Sequence, residues 1–302
     1  MSPLQPDRLI LKAPAKINLF LRVTGRRPDG YHLLATWMQK VGLYDVIELT
    51  LCADGIHLQC SSDDVPNSRE NLVYRAAELF FRETRGRSRG PAAGVVIGLT
   101  KNIPVAAGLG GGSSDAAATL RGVNELFGWP CSAEELADLG LRLGADVPFF
   151  LADAPAALAT GIGEILRPVE PLQGYRVLLV NPGFPVSTRW VYQTFALTKR
   201  EDASNLANSQ VGVGGSFEWP VPTILPSSVL VNDLEAVTVT SYPEIGLLKK
   251  ELLQNGAVQA LMSGSGPTVF GLFADDRAAE ACQGHCKHRF PHTYLVAPIG
   301  EK

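Results

Sequence analysis

Apolar residues along this chain change period from two to about 3.6 and back, and each change marks an element. Residues 8–24, RLILKAPAKINLFLRVT, alternate as two extended pieces broken at Pro14. Ile17, Leu19, Leu21 and Val23 fall on one face of the second piece, Lys16 and Asn18 on the other. Asp29-Gly30 is a turn signal, with Tyr31 and His32 opening the returning strand, and residues 44–60 alternate enough for two more strands. Helical spacing takes over in 71–84, where Leu72, Ala76, Leu79 and Phe80 share a side and Asn71 suits the cap position. A strand over 94–100 then leads through a glycine-rich stretch to a helix from Ser113 to about Phe127. Its buried stripe is Ala116, Leu120, Val123 and Phe127. The next helix, 132–144, carries Ser132 and Glu135 as a capping box, with Gly144 closing it.

Residues 157–170 read as strand, turn and strand, and Pro168 and Pro171 mark a joint. Two domains are expected, 1–168 and 169–302. The second begins with a strand at 175–180 and a short helix, followed by a long loop over 199–227. After two helices come strands at 257–263 and 268–274, a helix at 275–289 and a strand at 293–297. That order approximates a split β-α-β, ferredoxin-like layout. The fold class is therefore α+β.

Composition narrows the function. Hydrophobic residues make up 46% of the 302 and charged residues 19%, so a large packed core is within reach. A net charge of −3 argues against nonspecific nucleic-acid binding. No apolar run is long enough to span a membrane, and the first ten residues lack a signal-peptide core. Five scattered cysteines suit a reducing cytoplasm. No obligate protein partner is evident. Cys282, His285, Cys286 and His288 match no zinc spacing, and 282 and 286 share a helix face.

The chemistry centres on KNIPVAAGLGGGSSD, 101–115. Gly108, Gly110, Gly111 and Gly112 allow positive φ and close backbone approach. The helix that follows offers unpaired N–H groups and a positive dipole end, so the stretch is suited to phosphate. It is not a Walker A loop, because no GK[ST] follows, nor a dinucleotide fingerprint, nor a protein-kinase loop. Further on, Asp146 lies in GADVPFF, where a carboxylate must be protonated, used as a cap or paired with a cation.

These segments resemble the signatures of the GHMP kinases, a family of small-molecule kinases. PAKINL resembles the first, P-x-x-x-GLGGGSS the second and SGSGPT (263–268) the third, in family order. The resemblance implies a two-domain fold, with an N-terminal domain like the second domain of ribosomal protein S5 and a C-terminal ferredoxin-like domain. It implies ATP as co-substrate, with expected Mg²⁺ that Ser113 or Ser114 would reach; the metal ligands are otherwise unknown. Lys16 and Asp146 would be the catalytic pair. Pro104, Val105, Ala106, Ala107, Gly108, Leu109, Gly110, Gly111, Gly112, Ser113 and Ser114 would bind ATP, with Asn71 near its adenosine. The string R-x-DGYH-x-L resembles one branch of the family, whose substrate is a cytidine diphosphate-linked methylerythritol of the non-mevalonate isoprenoid route. There Tyr31, His32 and Tyr192 would hold the cytosine, and Asn18 the alcohol. A kinase of homoserine or a mevalonate-like alcohol would share the loop without needing DGYH, and a non-catalytic nucleotide binder would need neither Lys16 nor Asp146.

Overall fold

The structure, a computed structural model, describes residues 7–85, 93–201 and 230–300. They form two compact units. One falls within Met1–Lys16, Gly42–Val105 and Gly110–Ala154, the other within Ile17–Val41, Ala106–Leu109 and Pro155–Lys302. β1 (Arg8–Arg26) and β2 (His32–Cys52) pair with each other, and each runs on from one unit into the other. The expected break at Pro14 is absent: β1 is continuous. A missing N–H removes one ladder bond at most, and proline's φ fits an extended chain, so the flanking residues keep the strand intact. The face that carries Lys16 and Asn18 is buried too, Ala15 through Leu21 being buried on both faces.

In the first unit β3 (Asp54–Cys60) runs parallel to β4 (Ala93–Thr100), which lies antiparallel to the 46–52 stretch of β2. α1 (Leu72–Glu83), α2 (Gly111–Leu126), α3 (Ala133–Leu143) and the single turn α4 (Val147–Leu151) pack on one another. α2 lies on the sheet at Gly122, where a Cβ would fall 2.3 Å from Leu49 and 2.6 Å from Leu11. Ala116, Leu120, Val123 and Phe127 are buried as the spacing predicts. The capping box of Ser132 and Glu135 is formed. α2 starts two residues earlier than predicted, at Gly111, with Gly110 as its cap in the left-handed region. Gly111 and Gly112 are thus first-turn residues of the helix rather than loop.

In the second unit β5 (Ala156–Thr160) joins residues 36–39 of β2 and β6 (Ile165–Pro168) in an antiparallel ladder. A separate antiparallel sheet has the order β10 (His292–Val296), β7 (Arg176–Asn181), β9 (Val269–Phe273), β8 (Gln259–Met262). With α7 (Pro243–Gln254) and α8 (Asp276–Lys287) packed on it, this is the expected ferredoxin-like arrangement. Its core joins Leu178 and Val180 to Ile245, Leu248, Leu252, Ala279, Cys282 and Cys286. Cys282 and Cys286 do share a face, and it points inward. α5 (Thr188–Glu201) takes the first residues of the loop expected over 199–227; the rest of that loop lies outside the described residues. α6 (Glu235–Ser241) follows a short segment in which Asn232 bridges to Leu21 of β1. No helix among the described residues is long and apolar enough to cross a membrane.

Candidate active site

In the first unit, Lys16 Nζ lies 3.5 Å from Asp146 Oδ2. The lysine is buried and the carboxylate about one-third exposed, its side chain 35% accessible. Asp146 occupies the cap position of α4 but makes no capping hydrogen bond. Of the three fates open to it in sequence, pairing with a cation is the one the structure displays. The Lys16 stem lies against the glycine turn, since a Cβ on Gly110 would meet Lys16 Cγ at 3.1 Å and the Phe150 ring at 2.9 Å. Gly110 has φ +71°, and as a cap without a side chain it leaves the N–H groups at the start of α2 uncontested. Gly112 is exposed, while Gly110, Gly111 and Ser113 are half-buried, so the helix start is open to solvent. Ser114 Oγ is buried with no hydrogen-bond partner.

Beneath this turn lies a cluster that the sequence reading missed. Lys101 Nζ donates to Asp45 and, at 2.8 Å, to Asp115, all three side chains being buried. Asp45 also accepts from the backbone N–H groups of Asn102 and Ile103, and so anchors the approach to the glycines. Burial pushes the Asp115 carboxyl up to about 7 against the pull of Lys101. Burial alone would lower Lys101, and the two carboxylates more than reverse it, leaving it raised. Asp45 and Lys101 are 56 positions apart, so no local pattern announces them; the one signal was Asp115 amid alanines.

Asn71 caps α1: its Oδ1 accepts from Val73 N–H and its Nδ2 donates to Pro66 O. Its neighbour Leu72 lies beside the first turn of α2, 3.4 Å from a Cβ built on Gly112. Among the described residues no group of three or more His, Cys, Asp or Glu could hold a metal ion.

The second unit carries the other half of the glycine stretch and the candidate substrate residues. Gly108 has φ +77°, and a Cβ there would fall 2.1 Å from the carbonyl oxygen of Ser263. Ser263 Oγ donates to Gly108 O at 2.9 Å, and Thr268 N–H to Ala107 O at 3.3 Å. The SGSGPT turn therefore folds back on the glycine stretch. Asn232 Nδ2 holds that turn from behind through Met262 O and Gly264 O. Ala106 adopts φ +51° without being a glycine, while Pro104 and Val105 precede it and Leu109 is buried.

Asn18 is buried and donates to Thr36 Oγ1 at 2.8 Å. His32 stacks on Tyr192, ring centroids 5.2 Å apart at 26°, with Phe195 edge-on at 6.3 Å. Rings that close touch, so a base would not lie between them. Burial, then the charge of Arg26, lowers the His32 pKa below its ordinary value. Tyr31 stands apart in the turn before β2, 61% exposed.

The first unit's lysine against an aspartate and glycine-capped helix start, and the second unit's ferredoxin-like sheet, each fit the class of small-molecule kinases. The family profiles agree: GHMP kinases N terminal domain matches residues 71–159 and GHMP kinases C terminal matches 225–292. The chain belongs to the GHMP kinases, enzymes that move phosphate from ATP to an alcohol. It is 47% identical, over 90% of its length and 91% of the relative's, to a 4-diphosphocytidyl-2-C-methyl-D-erythritol kinase of Geobacter metallireducens. A crystal structure of 4-(cytidine 5'-diphospho)-2C-methyl-D-erythritol kinase superposes with TM-score 0.77 at 34% identity, covering 97% of this chain and 100% of that one. A homoserine kinase from Cytophaga hutchinsonii reaches TM-score 0.70 at 17% identity, covering 100% of this chain and 98% of that one, a likeness of fold alone. The expected two-domain α+β fold with two sheets is borne out.

Proposed function

We propose that this enzyme phosphorylates the 2-hydroxyl of 4-diphosphocytidyl-2-C-methyl-D-erythritol at the expense of ATP, in the cytoplasm, as a step of the non-mevalonate isoprenoid route. The observation that carries the reading is end-to-end likeness to relatives of that activity, in a chain that keeps Lys16 and Asp146 paired. Homoserine and mevalonate-like acceptors lack that support.

In this reading Asp146 accepts the proton of the attacking hydroxyl, and Lys16 balances negative charge as it develops on the oxygens. Residues 104–114 embrace the triphosphate, with backbone N–H groups at the start of α2 directed at its oxygens. Asn71 serves the nucleotide side by ordering the start of α1. His32, backed by Tyr192, offers a ring nitrogen to the cytosine edge, and the exposed Tyr31 covers the base. Asn18 holds the alcohol. Magnesium arriving with the nucleotide fits the site: Ser113 and Ser114 are the hydroxyls at the helix start, and the unpartnered Oγ of Ser114 suits such a ligand. When bound, the ion would neutralise charge on the phosphate oxygens.

The test is direct. Purified protein with ATP, Mg²⁺ and the cytidylyl alcohol should release ADP and yield a monophosphate ester at carbon 2, read by phosphorus NMR. ADP release with homoserine but none with the cytidylyl alcohol would overturn the reading.

A further inference from the structure

We infer that Arg26 holds the diphosphate of the cytidine-linked substrate, beside the histidine that meets its base. The inference rests on the reading above that His32 offers a ring nitrogen to the cytosine. The hairpin brings the two side chains together. Arg27 N–H donates to Tyr31 O at 2.7 Å, and Gly30 N–H to Arg27 O at 3.0 Å, which closes the turn. Residues 26 and 32 are then the next facing pair of the antiparallel ladder, and facing residues project to the same side. The pair beyond agrees, since a Cβ on Gly25 would lie 3.8 Å from Leu33 Cβ. The charge of Arg26 also reaches the His32 ring, where it adds to the lowering by burial.

Arg26 and Arg27 are neighbours in sequence, and the turn neutralises one of them. Arg27 pairs with Asp29 Oδ2 at 2.7 Å, and Asp29 Oδ1 accepts from Tyr31 N–H at 3.2 Å. Both oxygens of Asp29 are thus engaged, and among the described residues no carboxylate pairs with Arg26. The Arg26 guanidinium makes one hydrogen bond, from Nε to Gly30 O at 3.3 Å. That bond ties the side chain across the turn. It leaves both terminal nitrogens, the fork that takes phosphate oxygens in pairs, with no partner among the described residues. Arg26 is exposed, so an anion reaches it without displacing other side chains. His32 does not compete for that anion, because its lowered pKa keeps the ring neutral at neutral pH. A neutral ring that hydrogen-bonds and a cation next to it match a base and the phosphates it carries. A bare nucleoside would satisfy the ring and leave the cation unused.

The experiment is isothermal titration of the full chain with cytidine, with cytidine diphosphate and, separately, with ADP, comparing the natural protein with Arg26→Gln and Arg26→Lys. The natural protein should bind cytidine diphosphate about tenfold more tightly than cytidine, the scale of one exposed charge-assisted contact. Arg26→Gln keeps the length and the bond to Gly30 but not the charge. It should erase most of that preference while its affinities for cytidine and for ADP stay within about twofold of natural. Arg26→Lys keeps the charge without the fork and should fall between the two. An unchanged preference in Arg26→Gln would overturn the inference. So would a loss confined to ADP, which would assign the arginine to the phosphates of ATP, and so would equal weakening of cytidine and its diphosphate, which would make it a prop for His32. A natural protein that binds cytidine and its diphosphate alike sinks the inference and leaves the proposed function standing. One that binds neither sinks the proposed function, and the inference with it.

Discussion

At the scale of single residues, the proposed catalytic pair is Lys16 and Asp146, 3.5 Å apart. Asp146 is partly open to solvent and its side chain caps nothing, so water can screen Lys16 in place of its charge. Asp146→Asn should cut kcat by about 10²–10⁴-fold in steady-state assays while the melting temperature changes little. A near-normal kcat would remove it as the base. His32 makes a second prediction through its lowered pKa. At neutral pH the ring keeps an acceptor nitrogen. Around it are the cation of Arg26 and the rings of Tyr192 and Phe195, none of which favours a charged imidazole by an opposite charge. The folded state therefore resists protonation: its stabilising contribution is full above the ordinary value of 6.5 and is lost as pH falls through the lowered one. KM for the cytidylyl alcohol should be flat from pH 8 to 6.5 and climb only below that. A titration beginning above pH 7 would contradict the assignment, and His32→Phe should abolish the pH-dependent rise.

At the scale of elements, the glycine stretch is two contacts rather than one loop. A methyl at position 108 meets backbone, the Ser263 carbonyl, whereas a methyl at position 110 meets side chains, Phe150 and Lys16. Backbone cannot step aside cheaply. Gly108→Ala should therefore cost about 2–4 kcal/mol in denaturant unfolding, combining overpacking with a strained φ. Gly110→Ala should cost less stability but lower kcat disproportionately, because it pushes on Lys16. Equal effects of the two on both measurements would contradict this division. The approach to the turn has its own anchor. Lys101→Met would leave Asp45 and Asp115 facing each other without their shared cation, a loss of about 3–5 kcal/mol in urea unfolding. A change under about 1 kcal/mol would mean that the cluster relaxes or takes up water.

At the scale of the whole molecule, what could be read in advance was what is contiguous. The glycine stretch, GADVPFF and SGSGPT each carry their chemistry within a few residues, so their order along the chain exposed both the family and the fold. The ferredoxin-like sheet was legible for the same reason, its strands and helices being short and cleanly punctuated. Pro14 misled because a proline's missing donor is a local fact, while the continuity of β1 is decided by its partner strand. Thr36, Asp45, Lys101 and Asn232 were invisible because each acts on residues far away in sequence, through bonds that only the folded chain creates. The joined turns show what this means for descent. Gly108 and Ser263 sit 155 positions apart yet leave no space between them for a single carbon. A chimera of two relatives that takes 106–108 from one parent and 263–268 from the other mates surfaces shaped in different lineages. Natural exchange of gene segments would have to carry both turns together, or pick parents in which neither has changed.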